Sequence, residues 1–316
     1  MGASRHVVFG AGQIGQPLAA LLRAQGHDVR VARRSSGQVP AGVELVQGDA
    51  LDPAFCRTAA AGATTIYHCM NPPYFASAWA EQLPRYMDNL IEAARESGAK
   101  LVVLENLYAL GAPRGKKLNE DTPMAPVSRK GEIRARVDER LFTAQQKGEV
   151  VATLARASDF YGPHGTQSSL GDYFWPSVLK GKTAYSPFHV DAVHTYHYIP
   201  DVVEGLALLG TADASEYGGQ WMLPCTEAGS LRDLVRRLEA ATGRTLKVGE
   251  MPRLAVRALG LFMPIMRELN EMLYQWDEPF VVDDSRFRTR FGVKPTPVDE
   301  AVTATATWAL AHYGRA

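Results

Sequence analysis

The apolar positions of this chain change period in a regular way. A short apolar run, Val7-Val8-Phe9, gives way to helical spacing at Leu18, Leu21 and Leu22, which predicts a strand followed by an amphipathic helix ending near Gly26. The same switch recurs downstream. Asp28-Val29-Arg30-Val31-Ala32 alternates like a strand, and Val43-Glu44-Leu45-Val46 reads as a third. Asp52 and Pro53 suit the N-cap and first position of the next helix. A fourth strand is expected at 65–70, a long helix at about 78–97 stopping at Gly98, and a fifth strand at Leu101-Val102-Val103-Leu104. Ile133, Val137, Leu141 and Ala144 form the stripe of another helix before a strand at 149–154. Strands alternating with helices predict a doubly wound parallel sheet with ligands at the carboxyl ends of its strands.

The first strand runs into Gly10-Ala11-Gly12-Gln13-Ile14-Gly15, a G-x-G-x-x-G turn at a strand-to-helix junction. Gly10 permits the turn, Gly12 lets the backbone approach a pyrophosphate, and Gly15 lets the helix pack closely. The helix N-terminus then offers free N–H groups to phosphate. The fold class is therefore α/β, a Rossmann-type doubly wound sheet with a smaller C-terminal substrate-capping region. The expected division is 1–165, with a return segment at about 194–225, for the nucleotide. Residues 166–193 and 226–316 then form the cap, the former rich in aromatics such as Tyr173, Phe174, Trp175, Tyr185 and Phe188. At the second strand's exit stand Arg33, Arg34 and Ser35, with no acid to bond a ribose 2′-hydroxyl. That favours a 2′-phosphate, and so NADP ahead of NAD. Gln13 and Ile14 in the glycine turn, Asp49 toward the adenine with Ala50 beside it, and Met70 and Asn71 after the fourth strand, complete the expected cofactor contacts.

Composition narrows the partners. Lys+Arg and Asp+Glu stand at 34 each in 316 residues, which gives no bulk attraction to nucleic acid or an anionic membrane. The longest apolar candidate, 258–266, is interrupted by Gly260 and Pro264, and no signal-peptide pattern opens the chain. Cys56, Cys69 and Cys225 lie far apart without metal-ligand spacing. A reduced, cytoplasmic protein without metal is expected, taking a small-molecule substrate and compatible with a homodimer.

Several segments carry a resemblance to a known group. They are the glycine turn, Asp49-Ala50-Leu51-Asp52, and residues 156–163, which look like R-x-x-N-x-Y-G-P. Tyr198-Ile199-Pro200-Asp201-Val202 is similar to a V-D-D-V return strand, and the closing 291–297 to L-G-W-x-P. In this order the chain resembles the extended and atypical short-chain dehydrogenase/reductase family, which includes nucleotide-sugar epimerases and dehydratases. The resemblance implies a Ser or Thr at the fifth strand's exit and a Tyr-x-x-x-Lys pair on the next helix. This chain departs from it, with Asn106 at the Ser position, Lys130 at the Tyr position and Arg134 at the Lys position. Tyr108 is the first candidate to replace the missing proton donor, paired with Asn106 on an extended segment. Tyr161 and then Lys130 follow, Lys130 also counting as a cofactor contact. His194 and His197 read as structural, although His194 lies where the resemblance implies a basic substrate contact. The expected function is an NADP-dependent oxidoreductase acting on a small apolar or aromatic carbonyl compound. Two alternatives stay open: an epimerase or dehydratase with tightly held cofactor, and a non-catalytic NADP-binding sensor.

Overall fold

A computed structural model describes residues 4–314. Its strands are β1 (Arg5–Phe9), β2 (Asp28–Arg33), β3 (Glu44–Gln47), β4 (Thr65–His68), β5 (Lys100–Glu105), β6 (Val151–Arg156), β7 (Asp159–Tyr161), β8 (Thr183–Ser186), β9 (Tyr196–Tyr198), β10 (Gln220–Met222) and β11 (Lys247–Glu250). Helices are α1 (Gly15–Ala24), α2 (Pro53–Ala60), α3 (Ala76–Ser97), α4 (Arg129–Gln146), α5 (Trp175–Val178), α6 (Ile199–Thr211), α7 (Leu231–Thr242), α8 (Arg253–Leu259), α9 (Pro264–Asn270), α10 (Ser285–Phe291) and α11 (Val298–Tyr313).

Seven parallel strands form one sheet in the order β10-β6-β5-β4-β1-β2-β3. Both faces are covered, as near-continuous apolar runs such as Leu101-Val102-Val103 require. One face packs on α2, α3 and α4 through Ile66, Met87, Leu90 and Leu141. The other packs on α1 and α6 through Val8, Leu18, Val31 and Leu206. Strand order reverses between β1 and β4, so a crevice opens at their carboxyl ends. A second core, with Trp175, Leu234, Leu238 and Ala306, joins α5, α7 and α11 beside the short β8–β11 pair. Among the described residues no helix is long and apolar enough to cross a membrane.

Some boundaries differ from the expected ones. The sixth strand starts at Val151 rather than 149, because α4 continues to Gln146 and Gly148, at φ +69°, makes the turn. The fourth strand ends at His68, where the His68 Nδ1 accepts the Met70 N–H at 3.2 Å and bends the chain outward. The residues after β5 are not extended. They coil into a 3₁₀ turn at Tyr108–Leu110.

Candidate active site

The glycine turn is built as its three positions demand. Gly10 sits at φ +106°, where a Cβ would come within 2.7 Å of the Cys69 carbonyl oxygen. A Cβ on Gly15 would lie 1.9 Å from the Gly10 carbonyl oxygen and 3.3 Å from the Val8 side chain on β1, so this glycine both closes the turn and lets α1 sit close to the sheet. Around Gly12 there is nothing within 4 Å of an added Cβ. That open space faces a cleft of about 1140 Å³. Ile14, the N-cap of α1, makes no side-chain cap; Gln16 donates its N–H to the Gly12 carbonyl at 3.2 Å and Pro17 carries none, so the N–H groups left for a ligand are those of the turn itself, before Gln16. The turn therefore fits a dinucleotide pyrophosphate. Gly10, Gly12, Gln13, Ile14, Arg33, Arg34, Ser35, Asp49, Ala50, Met70 and Asn71 all line this one cleft.

At the other end of the sheet crevice, β5 delivers a buried polar cluster. Glu105 accepts an ion-pair hydrogen bond from Arg134 Nη1 at 2.9 Å, and Arg134 Nη2 donates to Asn71 Oδ1 at 2.7 Å. The guanidinium also lies over the Trp79 ring, 4.4 Å from its centroid. Glu105 accepts from the Asn106 N–H at 2.7 Å, and Asn106 Oδ1 accepts from the Tyr108 N–H at 2.9 Å. Asn106 thus fixes the backbone of the turn, and Arg156 Nη1 holds its carbonyl at 2.8 Å from below. The Tyr108 and Tyr74 hydroxyls meet at 3.1 Å, with Trp79 stacked on Tyr108. Burial raises both phenols above their ordinary range, so they stay protonated.

Two expected donors lie elsewhere. Lys130 is wholly buried and does not line the cleft. Its ammonium is 2.5 Å from Glu268 Oε2 and 2.5 Å from Glu271 Oε1, donates to the Glu268 carbonyl, and stands over the Tyr74 ring. Glu268 also accepts the Ala76 N–H at 3.0 Å, so Lys130 clasps α9 to α3 and α4. Tyr161 is buried with its hydroxyl 2.7 Å from Thr226 Oγ1, outside the cleft. His197 is structural: it accepts the Ser158 N–H and meets the Leu223 carbonyl. His194 bonds both Ser158 and Asp159. Sequence reasoning missed Glu105, Tyr74, Asp159, Glu268 and Glu271. Only Glu105 carried a signal, a carboxylate closing an otherwise apolar strand.

A model of the NAD dependent epimerase/dehydratase family matches residues 7–222. The chain belongs to that family. A 3-diazoavenalumate denitrifying reductase from a Streptomyces species is 30% identical over 313 residues, covering 92% of this chain and 96% of its own length. Among solved structures, UDP-glucose 4-epimerase from Thermus thermophilus in complex with NAD matches with a TM-score of 0.75 at 22% identity, over 96% of this chain and 98% of that one. UDP-glucuronic acid 4-epimerase from Bacillus cereus in complex with NAD gives a TM-score of 0.76 at 16% identity, over 98% and 99%.

These findings correct two expectations. Fold relatives of this family hold NAD, which overturns the preference for NADP and, with it, an NADP-dependent carbonyl reduction. The arginines that suggested a 2′-phosphate have local work: Arg33 Nη2 donates to Ser35 Oγ at 3.0 Å and its guanidinium packs on Gly37, while Arg34 is exposed. Arg33 thus orders the loop and is not held free toward a phosphate.

Proposed function

We propose that this chain is an NAD-dependent enzyme of the epimerase/dehydratase type, in which a hydride leaves a substrate for the cofactor and returns within one cleft. The observation that carries this reading is the continuity of that cleft, from the open glycine turn to the polar cluster at the end of β5. NAD bound there supplies the hydride acceptor. Gly12, Gln13 and Ile14 would hold its pyrophosphate, Asp49 and Ala50 the adenine, and Met70 and Asn71 the segment between. Arg134 would hold the nicotinamide ribose, its charge balanced by Glu105. Tyr108, paired with Tyr74 and steadied by Asn106, would give and take the proton.

The relatives named as UDP-sugar epimerases make a sugar nucleotide the first substrate class to test. Purified protein incubated with UDP-glucose and no added cofactor should form an epimer or a dehydrated product without net change in NAD. No product, or NADH accumulating in place of product, would sink this reading. A second reading is favoured by one observation: among the described residues, Arg33, Arg34 and Arg134 are the only Lys or Arg side chains lining the cleft, so a diphosphate finds little counter-charge. The relative at 30% identity is named a reductase of a diazo compound. A hydride added to an electron-poor nitrogen needs no proton donor, and the absent Tyr-x-x-x-Lys pair would be no handicap there.

A further inference from the structure

The loop between β7 and α5 reaches across to the glycine turn. The Gln167 backbone N–H donates to Gln13 Oε1 at 3.2 Å, which joins this loop to the middle of the G-x-G-x-x-G segment. The motif leaves that position open, so a side chain there can serve the loop without altering the turn.

The loop holds its own shape. His164 turns the chain at φ +67°, a left-handed value that a non-glycine residue keeps only where its surroundings fix it. The Thr166 carbonyl accepts the Asp172 N–H at 2.8 Å, and a Cβ on Gly171 would come within 2.1 Å of the same oxygen, so the two ends of the loop's crown are in contact. Its base is fixed on α11. The Tyr313 hydroxyl donates to Asp172 Oδ1 at 2.7 Å, and the His164 ring lies 5.6 Å from that of Trp308. A loop ordered in this way loses little entropy when it meets a ligand.

Its chemistry suits an anion. Thr166, Gln167, Ser168 and Ser169 line the same cleft as Gly12 and Ile14. Ser168 Oγ is spent on the Gly165 carbonyl at 2.8 Å, whereas the partly buried Thr166 and Ser169 hydroxyls make no hydrogen bond among the described residues. Of the cationic side chains in the cleft, Arg33 and Arg34 follow β2 and Arg134 is engaged by Glu105. A diphosphate set on the glycine turn meets backbone N–H groups on one side and has neutral donors to accept from on the other.

We propose that this loop is a strap over the diphosphate of the cofactor, with the Thr166 and Ser169 hydroxyls as donors to its oxygens and the Gln13–Gln167 hydrogen bond as the latch. A hydrogen bond to a charged oxygen is stronger than one between neutral groups, so two hydroxyls offset the shortage of cations. While the latch holds, NAD can neither enter nor leave without the strap lifting. Slow exchange is what a hydride that leaves and returns within one cleft requires, so the strap deepens the epimerase or dehydratase reading, and it rests on NAD lying at the glycine turn.

The test is stopped-flow fluorescence of NADH, read as uptake by protein freed of cofactor and as release on a chase with excess NAD, in wild type, Gln13→Met and a Thr166→Val, Ser169→Ala double variant. Gln13→Met should release NADH about fivefold faster and also take it up faster, because the latch gates both directions. The double variant should release it about tenfold faster with uptake unchanged, because it loses contacts made only in the bound state. Melting temperatures without cofactor should stay close to wild type, since the Asp172–Tyr313 anchor is left in place. Release from both variants at the wild-type rate, or faster release from Gln13→Met without faster uptake, would overturn the strap. No uptake of NADH by wild type would overturn it together with the cofactor reading. The predicted rates without any turnover of UDP-glucose would uphold the strap and overturn the proposed reaction alone.

Discussion

Arg134 shows how one side chain can serve two purposes. It neutralises Glu105, which is buried at the end of β5, and it presents an edge to Asn71 in the cleft. Removing it as Arg134→Met leaves an uncompensated buried carboxylate, and chemical denaturation should record a loss of about 3–5 kcal/mol. Arg134→Lys should recover only part of that, because a point charge cannot bond Glu105 and Asn71 in a planar fork. A loss under about 1 kcal/mol for the methionine variant would mean that Glu105 is protonated or hydrated. Tyr108 is the contrasting case. Tyr108→Phe removes one hydroxyl, and its partner Tyr74 lines the cleft where water can take its place, so stability should change little. Turnover should nonetheless fall by about 10²-fold with NAD affinity intact. Unchanged turnover in this variant would move the proton to another group.

At the scale of elements, the decisive contact is the clasp of Lys130 with Glu268 and Glu271, which ties α9 to the sheet's helical layer. Lys130→Met should free this part of the cap. Hydrogen exchange should accelerate across α8 and α9, while β1, β4 and β5 keep their protection. Uniform acceleration everywhere would instead mark Lys130 as a global core residue. The position also shows where reading the sequence succeeds and where it stops. Strand and helix periods are local, so β1, α1, β2 and the stripe of α4 are visible in the spacing of Val7, Leu18, Val31 and Leu141, and so is the glycine turn. That Lys130 and Arg134 lie on the buried side of α4 was also visible, since they fall in line with Val137 and Leu141. Their partners were not. Glu268, on a short helix, and Glu271, just past its end, are more than a hundred residues away, and no local pattern pairs an acid with a distant base. The 3₁₀ turn at Tyr108 was equally hidden, because it depends on an Asn106 side chain bonding a backbone N–H two residues ahead.

For the molecule as a whole, pH acts through buried imidazoles. Burial depresses both His68 and His197 to about 3, and each ring uses Nδ1 to accept a backbone N–H. In the unfolded chain they titrate near 6.5, so the unfolded state binds more protons between the two values. Stability is then complete above about pH 6.5 and falls as pH drops toward 3, by about 2 kcal/mol per histidine at pH 5. Thermal melts at pH 7.5 and 5 should show the loss, and His68→Gln should reduce it. An unchanged melting temperature would show that these rings accept protons inside the fold. The cofactor is the other whole-molecule property, because one cleft joins the sheet's switch point to the cap. Native mass spectrometry of the purified protein beside Gly12→Val tests this most directly. Wild type should carry one NAD per chain, and the folded variant none, since a branched side chain would fill the open space at Gly12. NADP in place of NAD, or equal NAD in both proteins, would contradict the account.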